Sequence, residues 1–267
     1  MADISAKDVQ ALRQLTGAGM MDCKKALQET DGDAKAAALW LRERGLGKAA
    51  ERAGRENTQG AVAIARNGQV AALVLLRAET DFVAKSPDFV NLANDLAQLV
   101  VEKGEEAVSE LDGAVEDLKL TLKENIDVGR VVRFDAGADG VLDTYLHVQN
   151  GRGVNGIMIE LTGGTPELAH DIALTAAFSK PSAVTRDQVD PATVEAEREQ
   201  LIKETRNEGK PEAAFEKIVE GKLTGWFKRM PGGVLVDQPL AKDSKLSVGQ
   251  VLADAKITRF AQVVIEG

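Results

Sequence analysis

The sequence predicts an α+β fold: a small N-terminal helical bundle, a duplicated α/β core with small antiparallel sheets, and an inserted antiparallel helical hairpin. Apolar residues recur at helical spacing near the N-terminus and again over residues 191–229. Between them one pattern occurs twice: an Asn-Gly pair, an apolar run, a Ser/Thr-Pro-acid triplet and a helical stretch. Asn67-Gly68 and Asn150-Gly151 lie 83 positions apart, whereas Ser86 and Thr165 lie only 79 apart. The first copy therefore carries four additional residues, in or beside Thr80-Asp81-Phe82-Val83-Ala84-Lys85. A shared scaffold with one decorated loop directs attention to that loop.

Residues 1–55 read as the bundle. Ser5-x-x-Asp8 forms a capping-box start, with Asp where Glu or Gln is usual. Val9, Leu12 and Leu15 follow at helical spacing until Thr16-Gly17-Ala18-Gly19 interrupts them. A second helix is expected over 22–29, an Asp31-Gly32-Asp33 turn, and a third helix over 34–44 with Leu39, Trp40 and Leu41. The polar, basic stretch 45–57 reads as a linker or a frayed helix.

Residues 56–138 and 139–190, the latter joined by 230–267, form the two halves of the core. Strands over 61–66 and 141–148 each run into an Asn-Gly pair, the strongest short hairpin signal. Second strands follow over 70–76 and 154–161. Ser86-Pro87-Asp88 and Thr165-Pro166-Glu167 each read as N-cap, proline at the first helical position and an acid in the first turn. Their helices run through about residues 101 and 179. A charged helical pattern covers 108–123, and 128–134 is an expected strand.

The hairpin occupies 191–229. Val194, Leu201 and Ile202 mark an outgoing apolar stripe, Glu208-Gly209-Lys210-Pro211 the turn, and Phe215, Ile218, Val219, Leu223, Trp226 and Phe227 the return. Its charged flanks are either solvated or meet a partner. Beyond Pro231-Gly232-Gly233 a short strand is expected over 234–236, then a helix over 248–255 and a closing strand over 258–265.

Composition limits the function classes. A net charge of −9 argues against a main task of gripping nucleic-acid backbones. One cysteine, Cys23, leaves no intramolecular disulfide and no multi-cysteine metal site; it reads as a small buried hydrophobe. No apolar stretch is long enough for a transmembrane helix and the N-terminus lacks a signal-peptide pattern, so a cytoplasmic location is expected. Phosphate-binding loops are absent, and His147 and His170 read as structural. No cofactor and no metal are implied. Met20-Met21 offers flexible apolar surface or packs the bundle, and Phe82 beside Asp81 is an interaction tip or folds back on the sheet.

Thr16-Gly17-Ala18-Gly19-Met20-Met21-Asp22-Cys23-Lys24-Lys25-Ala26-Leu27 and Thr80-Asp81-Phe82-Val83-Ala84-Lys85 resemble the two signatures of the bacterial elongation factor Ts family. Glu124-Asn125-Ile126, Ser179-Lys180-Pro181, Gly209-Lys210-Pro211 and Val219-Glu220-Gly221-Lys222 follow in the family's order across nearly the whole chain. The resemblance implies a guanine nucleotide exchange factor for elongation factor Tu, with a ubiquitin-associated-like bundle and a coiled-coil hairpin. It implies that Thr80, Asp81, Phe82 and Val83 enter the GTPase near its magnesium, and that Leu12, Met20 and Met21 of the bundle pack on the same domain. Direct nucleic-acid or membrane binding is not implied; self-association into a homodimer through hairpin or core stays open. Some members continue into a further C-terminal helical module, whereas this sequence stops at Gly267. A passive binding scaffold is the alternative, and an enzyme reading a distant third.

Overall fold

The computed structural model describes residues 4–52, 54–209 and 211–265. Helices α1 (Ala6–Thr16), α2 (Met20–Glu29) and α3 (Ala34–Arg52) enclose Val9, Leu12, Cys23, Ala26, Leu27 and Ala37. Ser5 caps α1 with a full capping box: its hydroxyl accepts from the Asp8 amide, and the Asp8 carboxylate accepts from the Ser5 amide. Gly17 closes α1 at φ 66°, a left-handed position that a glycine takes without Cβ strain. Two expectations need correction here. α2 begins at Met20, two residues before the expected start at Asp22, so both methionines lie in its first turn. α3 continues to Arg52 and not only to residue 44, so over 45–52 the helical alternative holds and the linker does not. Ala, Lys, Glu and Arg dominate this stretch and favour helix despite its polarity. Gly45 also lies hard against Leu120, a contact any side chain there would obstruct.

The core consists of two three-stranded antiparallel sheets. One contains β1 (Gln59–Asn67), β2 (Val70–Ala78) and β3 (Asp127–Asp135), in that order. The other contains β4 (Gly140–Gln149), β5 (Arg152–Thr162) and β6 (Lys256–Val264), again in order. Between β2 and β3 lie α4 (Asp81–Ala84), α5 (Pro87–Lys103), a 3-10 segment (Glu105–Leu111) and α6 (Asp112–Leu122). Between β5 and β6 lie α7 (Pro166–Ser179), α8 (Pro191–Asn207), α9 (Glu212–Arg229) and α10 (Val248–Leu252). Each copy is thus a hairpin, a helix and a strand that returns beside the hairpin's second strand. The charged pattern over 108–123 is therefore divided between a 3-10 segment and α6, not one helix.

Side-chain alternation stacks the sheets. Ala61, Ala63, Ala72, Val74 and Leu76 face α5 and α6, while Val62, Ala71 and Leu73 face the other sheet. In β5, Ile157, Ile159 and Leu161 face α7 and α10, while Met158 joins the inter-sheet cluster. Helices therefore cover both outer faces, and β2 and β5 are buried on both sides. The second hairpin turns at Asn150-Gly151, with φ of 53° and 81° as expected. In the first, Asn67 still belongs to β1 and the turn is Gly68-Gln69, with Gly68 at φ 58°.

α8 and α9 share an apolar cluster built on Leu201, Val219, Leu223 and Phe227, flanked by the ion pairs Arg198–Glu220 and Lys222–Glu208. Residues 234–236 are not a strand: Val234 makes one bridge to Ala183 and Leu235–Asp237 turn as a 3-10 segment. Arg186 grips Asp237 there with two bonds of 2.6 and 2.7 Å. α10 likewise ends at Leu252, three residues early.

Gly153 shows how closely the sheets approach. A Cβ at that position would sit 2.1 Å from the Val62 carbonyl oxygen. Gly153→Ala should destabilise the chain by about 1–3 kcal/mol in urea unfolding, because backbone cannot step aside as a side chain does. Asp190 starts α8 by accepting from the Thr193 hydroxyl at 2.9 Å and from the Ala192 and Thr193 amides at 3.2 Å. These bonds, the Thr193 hydroxyl foremost, hold its pKa below the ordinary carboxylate value. A lowered folded-state pKa means full stabilisation above the unfolded value, about 3.9, and loss as pH falls through the folded value. The stability gap between the parent and Asp190→Ala should therefore narrow as urea melts are taken to lower pH through that window.

Candidate partner-binding site

The four additional residues of the first copy form α4, a single helical turn between β2 and α5 that the second copy lacks. Its direction is set by polar contacts. The Thr80 hydroxyl accepts from the Val83 amide at 3.2 Å, the N-cap bond that four residues of helix need. The Glu124 carboxylate accepts from the Glu79 and Thr80 amides at 3.1 Å each and from the Thr80 hydroxyl at 2.6 Å. Glu79 returns the contact by accepting the Asn125 amide at 2.7 Å. Val83 and Ala84 anchor the turn from inside, packed in the α5 cluster.

The outer side of the turn is open. The Phe82 ring is 74% exposed and does not fold back on the sheet. Asp81 is largely exposed beside it, and Lys85 Nζ lies 3.3 Å from Asp81 Oδ2 and 5.5 Å from the centre of the Phe82 ring. One lysine thus contacts both tip side chains. In water such exposed contacts are weak and readily exchanged for others.

The bundle carries the second candidate group. Met20 and Met21 are exposed on α2, Met21 at 76%, and Leu15 on α1 and Leu39 on α3 add further exposed apolar surface to the bundle. Leu12, by contrast, is only 2% exposed and packs in the bundle core, so any part it has in binding is to support the α1–α2 corner. The bundle leans on the core through Arg42 and Asp117, 3.6 Å apart, and through Gly45 against Leu120.

The remaining reactive side chains form no catalytic constellation. Cys23 is fully buried, its thiol 3.7 Å from the Ala18 carbonyl. His147 is exposed on β4, and His170 Nδ1 sits 3.0 Å from Asp143 Oδ2. Among the described residues no group of three or more His, Cys, Asp or Glu could hold a metal ion, and no helix is long and apolar enough to cross a membrane.

Two features escaped sequence reasoning. Glu124 lies 44 positions from Thr80, and no local spacing joins them; only the return of the chain from α6 into β3 brings it beneath α4. Phe178, at the end of α7, is 89% exposed. No motif in the sequence marks it.

The family model described as Elongation factor TS matches residues 79–266. Relatives named Elongation factor Ts include that of Alkalilimnicola ehrlichii, 41% identical over 97% of this chain and 91% of that protein. That of Saccharopolyspora erythraea is 42% identical over 97% and 96%, and that of Paenarthrobacter aurescens 40% over 97% and 99%.

Because Phe82 is bonded to nothing that holds the fold, Phe82→Ala should change the stability of the free chain by no more than about 0.5 kcal/mol in urea melts. A larger loss would mean that the ring has a structural task. The α4 turn, the helical bundle and the paired sheets are carried by a chain that belongs to the elongation factor Ts family, a family of translation elongation factors.

Proposed function

We propose that the chain is a guanine nucleotide exchange factor that binds elongation factor Tu carrying GDP and promotes GDP release during translation elongation in the cytoplasm. The reading rests on family membership, and one observation carries its mechanism: an exposed aromatic and an exposed acid held on a short, externally braced turn. Phe82 wedges into the GTPase while Asp81 perturbs the polar groups around its magnesium and phosphates. Thr80 and Val83 hold those two in place from the chain's own side.

No covalent step is required of this chain, so it acts as a binding protein and not as an enzyme. It needs only to bind the emptied GTPase better than the loaded one, and by reciprocity nucleotide binding weakens by the same factor. A thousandfold weakening corresponds to roughly 4 kcal/mol of differential contact. A buried aromatic anchor can supply about 2–4 kcal/mol of that. Magnesium amplifies small displacements, since it demands near-octahedral oxygen geometry at short distance.

The bundle (1–55), through Met20 and Met21 supported by Leu12, and the coiled-coil hairpin (191–229) supply affinity that keeps the wedge seated. The two core halves (56–138, and 139–190 with 230–267) fix their spacing. The hairpin serves the same GTPase in this reading, and dimerisation of the free chain through hairpin or core is its competitor. A sizing measurement of the chain alone and with elongation factor Tu separates the two.

Asp81→Ala with Phe82→Ala should slow chain-stimulated GDP release by at least about tenfold while the complex with elongation factor Tu still forms. Stopped-flow release of fluorescent GDP measures the first and calorimetry the second. Normal exchange by the double variant would refute the wedge.

A further inference from the structure

We propose that Glu124 is the positioning residue of α4: through Thr80 it sets where Phe82 and Asp81 stand before any partner arrives. The inference rests on the exchange reading above and adds the residue that gives the wedge its geometry.

A Thr hydroxyl has one proton and rotates freely unless a neighbour fixes it. Here Glu124 Oε1 takes that proton at 2.6 Å, which turns the oxygen's lone pairs toward the Val83 amide at 3.2 Å. The carboxylate therefore decides that Thr80 is an N-cap acceptor. Bonds to a charged acceptor are the stronger kind, and linked bonds polarise one another. Oε2 meanwhile gathers the Glu79 and Thr80 amides, which fixes the stem from which α4 departs.

The chain has little else to fix this turn. A helix of four residues does not hold itself in water. Phe82 contributes little packing, since its ring is 74% exposed and meets the exposed Lys85. Val83 and Ala84 bury the inner side but do not determine the twist of the first turn. Lys123, at φ 62°, ends α6 in the left-handed region directly before Glu124 and carries the chain from that helix toward the stem. Glu79 and Asn125 cross the same gap in the opposite sense, at 2.7 Å. The stem is consequently tied at both residues, and the tip depends on Glu124.

If the fraction of chains with a formed α4 falls, the fraction able to wedge falls with it. The bundle and the rest of the core remain unaltered, so binding to the GTPase persists. Loss of Glu124 should thus separate exchange rate from affinity for the GDP-loaded GTPase, a split that general destabilisation would not produce.

The test uses the full chain in two settings. In the free chain, amide hydrogen exchange at Val83 should accelerate roughly tenfold in Glu124→Ala, the loss expected for a missing cap, with β2 and α5 amides unchanged. With elongation factor Tu and fluorescent GDP, the maximal release rate at saturating Glu124→Ala should fall roughly tenfold, with affinity for the GDP-loaded GTPase within about twofold. Thr80→Val should give the same pattern, and the double variant should lose little more, because both break one relay. Glu124→Gln, which keeps an acceptor for the stem amides, should recover part of the rate. Unchanged Val83 exchange, or affinity for the GDP-loaded GTPase falling as far as the release rate, overturns the assignment. If the parent chain itself fails to speed GDP release, the exchange reading falls instead, and Val83 exchange alone still decides whether Glu124 orders the turn.

Discussion

Close apposition of the two sheets is the constraint on which the other elements depend. Gly153 and Gly156 have no side chains where Val62, Ile64 and Leu73 of the first copy press against the second. That contact buries the central strand of each sheet on both faces and leaves helices to cover the outside. Arg152 adds a polar tie at the same seam: its guanidinium donates to the Gly60 carbonyl at 2.5 Å and to Gln59 Oε1 at 2.9 Å. Burial lowers the pKa of this arginine, and the Asp81 charge acts in the opposite direction. The second copy thus braces the strand that pairs with the root of α4.

A rigid platform of this kind suits a short projection. α4 is ordered by hydrogen bonds at its stem and by two small buried side chains, not by its tip. Its aromatic ring therefore stays outside the free chain's own packing. Burial of that ring becomes available on contact with another protein, and an aromatic anchor of this type concentrates interface energy in few atoms.

Much of this was legible in the sequence because the signals are local. Asn150-Gly151 marked its turn through a requirement for positive φ, and Thr165 capped α7 as its Ser/Thr-Pro-acid triplet suggested. Ser86 began α5 at the expected residue, yet its hydroxyl makes no capping bond. The offset between the copies located α4, since a duplicated unit exposes an insertion by simple counting. The failures occur where tertiary context decides. Val234 and its neighbours have strand composition, but Leu235–Asp237 turn as a 3-10 segment with Asp237 paired to Arg186. Leu12 is grouped with Met20 and Met21 by the family resemblance yet faces inward, because its phase on α1 governs its burial. Glu124 was quoted only as part of a motif: a contact between residues so distant in sequence leaves no periodic trace.

The two tryptophans occupy separate places. Trp40 packs at the edge of the α1–α3 cluster, and Trp226 meets Phe227 edge-to-face, 5.0 Å between centroids, in the α8–α9 cluster. Neither belongs to the clusters that fill and flank the two sheets. Intrinsic indole emission therefore observes the two peripheral helical regions and is nearly blind to the centre, so the molecule carries built-in optical reporters for the limbs and none for the trunk.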